Sequence, residues 1–119
     1  MTLRFGLRLP PCAPPQVIAA EAARAEQAGF DCAWIPDSQL LWRDVWVTLS
    51  AAALATSRIA LGTNVTNPLT RHPTVTACAA ASLDELSGGR AIVGIGPGES
   101  SVRVMGWNPA KVAAMKEAI

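Results

Sequence analysis

Three short stretches carry side chains able to do chemistry. They are Asp37, Ser38 and Trp42; then Asn64, Thr66, Asn67, Arg71 and His72; then Gly96, Gly98, Glu99, Ser100 and Ser101. Two carboxyls in separate loops, Asp37 and Glu99, can divide proton donation and acceptance, or hold the polar edge of a ligand. Asn and Thr supply hydrogen bonds, and glycines let the backbone come close to a flat group or turn sharply. Each also has a plainer role. Asp37 can brace its own turn, Trp42 can anchor its loop over the core, and His72 before Pro73 can be an exposed helix-entry residue. One His without a partner makes neither a triad nor a metal site. Gly94-Ile95-Gly96-Pro97-Gly98-Glu99 lacks the G-x-G-x-x-G spacing and follows a fourth strand, so it is not a dinucleotide-binding turn.

The elements around these stretches explain how they could meet. Leu3–Leu9 alternates apolar with polar or Gly residues at period two and predicts a strand. A helix follows from Pro14-Pro15 through Ala28, with Gly29 as its stop. Phe30–Ile35 is a second strand, and Asp44 is placed to N-cap a helix over Val45–Thr56. Ile59–Thr63 is a third strand, followed by a long polar turn and a helix over Pro73–Leu86 that stops at Ser87-Gly88-Gly89. Ala91–Ile95 is the fourth strand, Gly96–Gly106 a long loop, and Pro109–Ile119 a fourth helix. Short apolar strands alternating with helices specify an α/β fold with a parallel sheet. It is either an open doubly wound sheet or part of a (β/α)8 barrel. The three polar stretches all follow strands, so they gather at the carboxyl edge, where such folds bind ligands.

Composition narrows the partners. The chain has 119 residues, is 50% hydrophobic and carries a formal net charge of +1 with its charges scattered. A nucleic-acid or anionic-membrane partner would need a basic patch or stripe, so neither is expected. No stretch is apolar enough to span a bilayer and no leader pattern opens the sequence, which points to the cytoplasm. Cys12, Cys32 and Cys78 match no metal spacing and are expected to be free thiols.

Four motifs occur in order: Trp34-Ile35-Pro36-Asp37 with Trp42; Leu61-Gly62-Thr63-Asn64-Val65-Thr66-Asn67-Pro68 with Arg71-His72-Pro73; Leu83-Asp84-Glu85-Leu86-Ser87-Gly88-Gly89-Arg90; and Gly94-Ile95-Gly96-Pro97-Gly98-Glu99. In this the chain resembles the bacterial luciferase-like superfamily, and most closely its coenzyme F420-dependent oxidoreductases. The resemblance implies a (β/α)8 TIM barrel of which residues 1–119 form a single partial domain, its first half. It implies hydride transfer between the deazaflavin C5 and an organic small-molecule substrate. Asp37 and Glu99 are the implied catalytic residues. Asp37, Asn64, Val65, Thr66, Gly96, Gly98 and Glu99 are implied to bind cofactor, the Asn64–Val65 bond as a non-prolyl cis peptide behind the ring. Ser38 and Trp42 are implied to line the substrate pocket. Ser38 stands where some dehydrogenases of this branch have a His, and Val102 where some relatives have an amide. That leaves open a reductase acting on a pterin or another unsaturated carrier.

Two other functions remain open at this point: an FMN-dependent luciferase-like monooxygenase, and a non-catalytic half-barrel assembly module. A barrel needs eight strands and about 250 residues. The expectation is therefore a fragment, a truncated product, or a half-barrel completed as a homo-oligomer or by a complementing chain. Alone, it should bind F420 weakly.

Overall fold

The computed structural model describes residues 2–119. Its elements are β1 (Gly6–Arg8), α1 (Pro15–Gln27), β2 (Cys32–Ile35), α2 (Val45–Ala55), β3 (Ala60–Thr66), α3 (Pro73–Ser87), β4 (Ala91–Ile95), α4 (Glu99–Arg103) and α5 (Val112–Ala118). The four strands are parallel and lie in the order β1-β2-β3-β4. A doubly wound sheet reverses its strand order at a switch point. Here the order never reverses, so the sheet advances as a barrel wall does. No described helix is long and apolar enough to cross a membrane.

Right-handed crossovers between adjacent parallel strands put successive helices on one face. Accordingly α1 packs on α2 and α2 on α3. The core between helices and sheet is built from Ile18, Ala22, Ala25, Ala33, Ile35, Val45, Leu49, Ala52, Leu61 and Leu83. On the other face Trp34 spreads across both neighbouring strands. A Cβ at Gly6 would stand 2.3 Å from its indole, and one at Gly62 2.4 Å. Only glycine leaves room for that ring at either position.

Several boundaries differ from those the sequence predicts. The paired part of β1 is three residues long rather than Leu3–Leu9, and Leu3 and Phe5 are exposed beyond it. Phe30 and Asp31 lie before β2. β3 continues to Thr66, so the first part of the supposed turn is strand. An irregularity between Thr63 and Thr66 takes up Asn64 and Val65, and the ladder resumes with Thr66 opposite Ile95. The loop after β4 contains the short helix α4, and α5 starts at Val112 instead of Pro109. By contrast β4 matches its expected span, and Asp44 Oδ1 caps α2 by accepting from the backbone N–H groups of Trp46 at 2.9 Å and Val47 at 3.0 Å. Gly88 ends α3 at φ +69°.

Candidate active site

The loops after β2, β3 and β4 meet at the carboxyl edge around a cavity of about 200 Å³. Arg8, Asp37, Trp42, Asn64, Val65 and the run 97–101 line it. Asp37 leaves β2 through Pro36 and is only 7% exposed. Its Oδ2 accepts a 2.8 Å hydrogen bond from Thr66 Oγ1. Burial pushes the Asp37 carboxyl above its ordinary pKa, and the neighbouring Asp44 adds to this; the Thr66 hydrogen bond and the charge of Arg71 oppose it. A buried carboxyl shifted this way is suited to holding a proton or exchanging one with a ligand.

Val65 and Asn64 form the wall on the β3 side. The peptide bond between them is cis, and both side chains are exposed. A Cβ on Gly94 would come 3.2 Å from Val65 Cγ1, and one on Gly96 2.6 Å from Cγ2. The two glycines of the β4 segment therefore let the Val65 side chain lie down across them, leaving a low apolar surface. On the opposite side the Arg8 guanidinium stands 5.4 Å from the centroid of the Trp42 ring.

The remaining implied site residues divide. Gly98 and Glu99 are on the cavity wall, but Glu99 is exposed and its carboxylate is bonded to Arg103 one turn along α4. That hydrogen bond holds Glu99 below the usual carboxylate range. Gly96 lies beneath Val65 and off the wall. Thr66 is fully buried and acts on Asp37 from behind. Ser38 is 1% exposed, with its Oγ 3.5 Å from Ser100 Oγ, and does not line the cavity. His72 caps α3 through Nδ1 and stands apart from the cavity.

Three further residues shape the site: Asn67 and Arg71 stand among the polar residues the sequence singles out, whereas Arg8 has no signal there. Asn67 is 1% exposed and fully engaged: Nδ2 donates to Thr70 Oγ1 and Ser101 Oγ, while Oδ1 accepts from the backbone N–H groups of Leu69 and Thr70. It joins the β3–α3 loop to α4. Arg71 pairs with Asp44 at 2.5 Å, while its Nη1 is buried without a partner among the described residues. Arg8 ends β1, and only the tertiary arrangement brings it to Trp42. Cys12 and Cys78 are exposed and Cys32 is buried, all as free thiols; burial pushes Cys32 up to about 11. Among the described residues no group of His, Cys, Asp and Glu could hold a metal ion.

Parallel βα units with polar side chains collected at the carboxyl ends of the strands are the construction of a (β/α)8-barrel enzyme. The chain belongs to the luciferase-like monooxygenase family, whose model matches residues 3–119. It is 50% identical over 99 residues to 5,10-methylenetetrahydromethanopterin reductase of Methanolobus tindarius, covering 83% of this chain and 30% of that protein. To F420-dependent glucose-6-phosphate dehydrogenase of Beutenbergia cavernae it is 42% identical over 96 residues, covering 72% of this chain and 28% of that protein. Among solved structures it is similar to the coenzyme F420 dependent tetrahydromethanopterin reductase of Methanopyrus kandleri, with TM-score 0.89 and 39% identity, covering 99% of this chain and 38% of that one. A type II Baeyer-Villiger monooxygenase from Pseudomonas putida, solved with FMN, shares the fold at TM-score 0.78 and 23% identity, covering 99% of this chain and 38% of that one. The chain thus spans about 30% of the length of the curated relatives it matches.

Proposed function

We propose that this chain carries part of the active site of a coenzyme F420-dependent oxidoreductase. The observation that carries the proposal is Asp37, buried and hydrogen-bonded to Thr66, in the wall of a cavity that the Asn64–Val65 surface also lines. Such a surface fits a planar ring, and the identity to F420-dependent relatives supports that ring being a deazaflavin. When bound, F420 supplies a hydride acceptor or donor at its ring carbon C5. Val65 and Asn64 back one face of the ring and leave the other to the substrate. Asp37, biased by burial toward its neutral form, donates a hydrogen bond to the ring's polar edge or to the reacting group. Trp42 covers the mouth against water, and Gly98 keeps the turn before Glu99 close to the ring. The substrate is an organic molecule that gains or loses hydride, and the identity to a methylenetetrahydromethanopterin reductase supports a pterin or another unsaturated carrier.

Titrating the purified chain with F420 and, separately, with FMN tests this by ring fluorescence. F420 should bind the more tightly of the two; FMN binding at least as tightly would overturn the cofactor assignment. On the same proposal the free edges of β1 and β4 belong against further βα units, from the same or another chain, consistent with the share of the relatives that is matched. F420 should then bind only weakly to the 119-residue chain as a monomer. Tight stoichiometric binding by a monomer in analytical ultracentrifugation counts against that part.

A further inference from the structure

The cavity is lined by an arginine whose guanidinium has no hydrogen-bond or ion-pair partner among the described residues. Arg8 pairs in register with Trp34, whose ring lies on the sheet face away from the helices, so Arg8 rises from that face at the carboxyl edge. It stands over Trp42 and lines the cavity. Among the described residues the ion pairs are Arg24–Glu21, Arg71–Asp44 and Arg103–Glu99. Guanidinium hydrogen bonds are made by Arg24, Arg43, Arg58, Arg71, Arg90 and Arg103. Arg4 and Arg8 are in neither group, and of the two only Arg8 lines this cavity.

The carboxylates nearby do not answer it. Glu99 is held by Arg103, and the cation acting on Asp37 is Arg71. An arginine resting on an aromatic ring can be a surface contact only. Here, however, the two partners come from different elements, Arg8 from the end of β1 and Trp42 from the loop after β2, and both line one cavity. Stacking on Trp42 holds the planar fork still while its N–H groups stay free, the arrangement that recognises carboxylate or phosphate in two-pronged fashion.

We propose that Arg8 is an anion-binding residue of this cavity, receiving a carboxylate or phosphate of the bound molecule. The inference rests on the cavity being a ligand site, as under the proposed function. The anion belongs either to the cofactor's acidic tail or to the substrate, and the test separates them. Wild type, Arg8→Ala and Arg8→Lys are titrated with F420, with the uncharged ring compound 5-deazariboflavin, and with inorganic phosphate and acetate in the presence of that ring compound. Binding is followed by calorimetry and tryptophan fluorescence. A loss of about tenfold or more for F420 in Arg8→Ala, with 5-deazariboflavin unchanged and Arg8→Lys in between, assigns the cofactor's anion. Unchanged F420 with lost binding of phosphate or acetate assigns the substrate's anion. Equal affinities for every probe in wild type and Arg8→Ala overturn the proposal. So does an equal loss for the uncharged ring, which would make Arg8 a structural prop. If neither ring compound binds wild type but phosphate binding still requires Arg8, the proposed function fails and the anion site stands.

Discussion

The two edges of the sheet use the same residue types to opposite ends. At the amino edge Glu26 accepts from the backbone N–H groups of Ser57, Arg58 and Ile59 and from the Ser57 hydroxyl. Arg90 donates to the Ser87, Ile59, Ala53 and Thr56 carbonyls and to the Thr56 hydroxyl. Asp31 accepts from Phe5 N–H and Asp84 from Ala91 N–H. Every one of these charges ties one element's backbone to another. Among the described residues at the carboxyl edge, Asp37 has a single side-chain bond, from Thr66, Arg71 has a buried unpartnered Nη1, and Arg8 rests on Trp42 with no hydrogen-bond acceptor. Saturated charges fasten the fold, and charges with valence to spare are where a ligand can act.

The sharpest way to break this contrast is at Arg90. Arg90→Ala removes the hydrogen bonds that close the carboxyl end of α2, and should destabilise by about 3 kcal/mol, read as a lower urea midpoint. Loss of ligand binding without loss of stability would show that this edge is not purely structural.

Acid titration is the next probe. Burial alone would raise the Glu26 carboxyl, but the bonds from Ile59, Arg58 and Ser57 outweigh it and bring its pKa down to about 2. A carboxylate lower in the folded than in the unfolded chain stabilises above the unfolded value, from an ordinary 4.5, and that contribution disappears as pH falls toward about 2. After allowance for the solvent around a partly exposed group it amounts to about 1–2 kcal/mol. Glu26→Gln should lose that much at pH 7 and show a flatter decline of stability between those pH values. An identical acid profile in the variant would remove Glu26 from the account.

Asp37→Asn should have the smallest effect on stability and the most selective effect on function. Burial raises this carboxyl, so the folded state disfavours its charge, and stability is lost as pH rises through the raised value. An amide keeps a partner for Thr66 without the buried charge, so stability at pH 7 should change by less than about 1 kcal/mol or rise slightly, while F420 affinity falls about tenfold. Thermal unfolding and F420 fluorescence on the same sample decide it; parallel losses in both would make Asp37 a brace.

Much of this arrangement is legible in the sequence because it depends on local signals. Ala91–Ile95 is an apolar run bounded by turn residues, Asp44 precedes a helical pattern, and Gly88 follows one. What escaped depends on contacts between distant segments. Asn64 and Thr66 have turn chemistry, yet both lie within β3, because the ladder with β4 resumes past Asn64 at Thr66 opposite Ile95. The run 99–103 is too short and polar to announce a helix; Gln39 and Asn67 hold it through Ser101. The bond from the Thr66 hydroxyl to Asp37 joins residues 29 apart in the chain, so no local pattern announces it.

The sequence by itself determined the alternation of strands and helices, and with it the edge at which Asp37, Asn64 and Glu99 emerge, since periodicity and capping act within a few residues. The choice of a barrel wall over a doubly wound sheet was decided only by the tertiary structure, through a strand order no local pattern encodes. So was the division of charges into saturated and free. A carboxylate or guanidinium has the same composition at either edge, and only its packed neighbours settle how many of its hydrogen-bonding positions remain open.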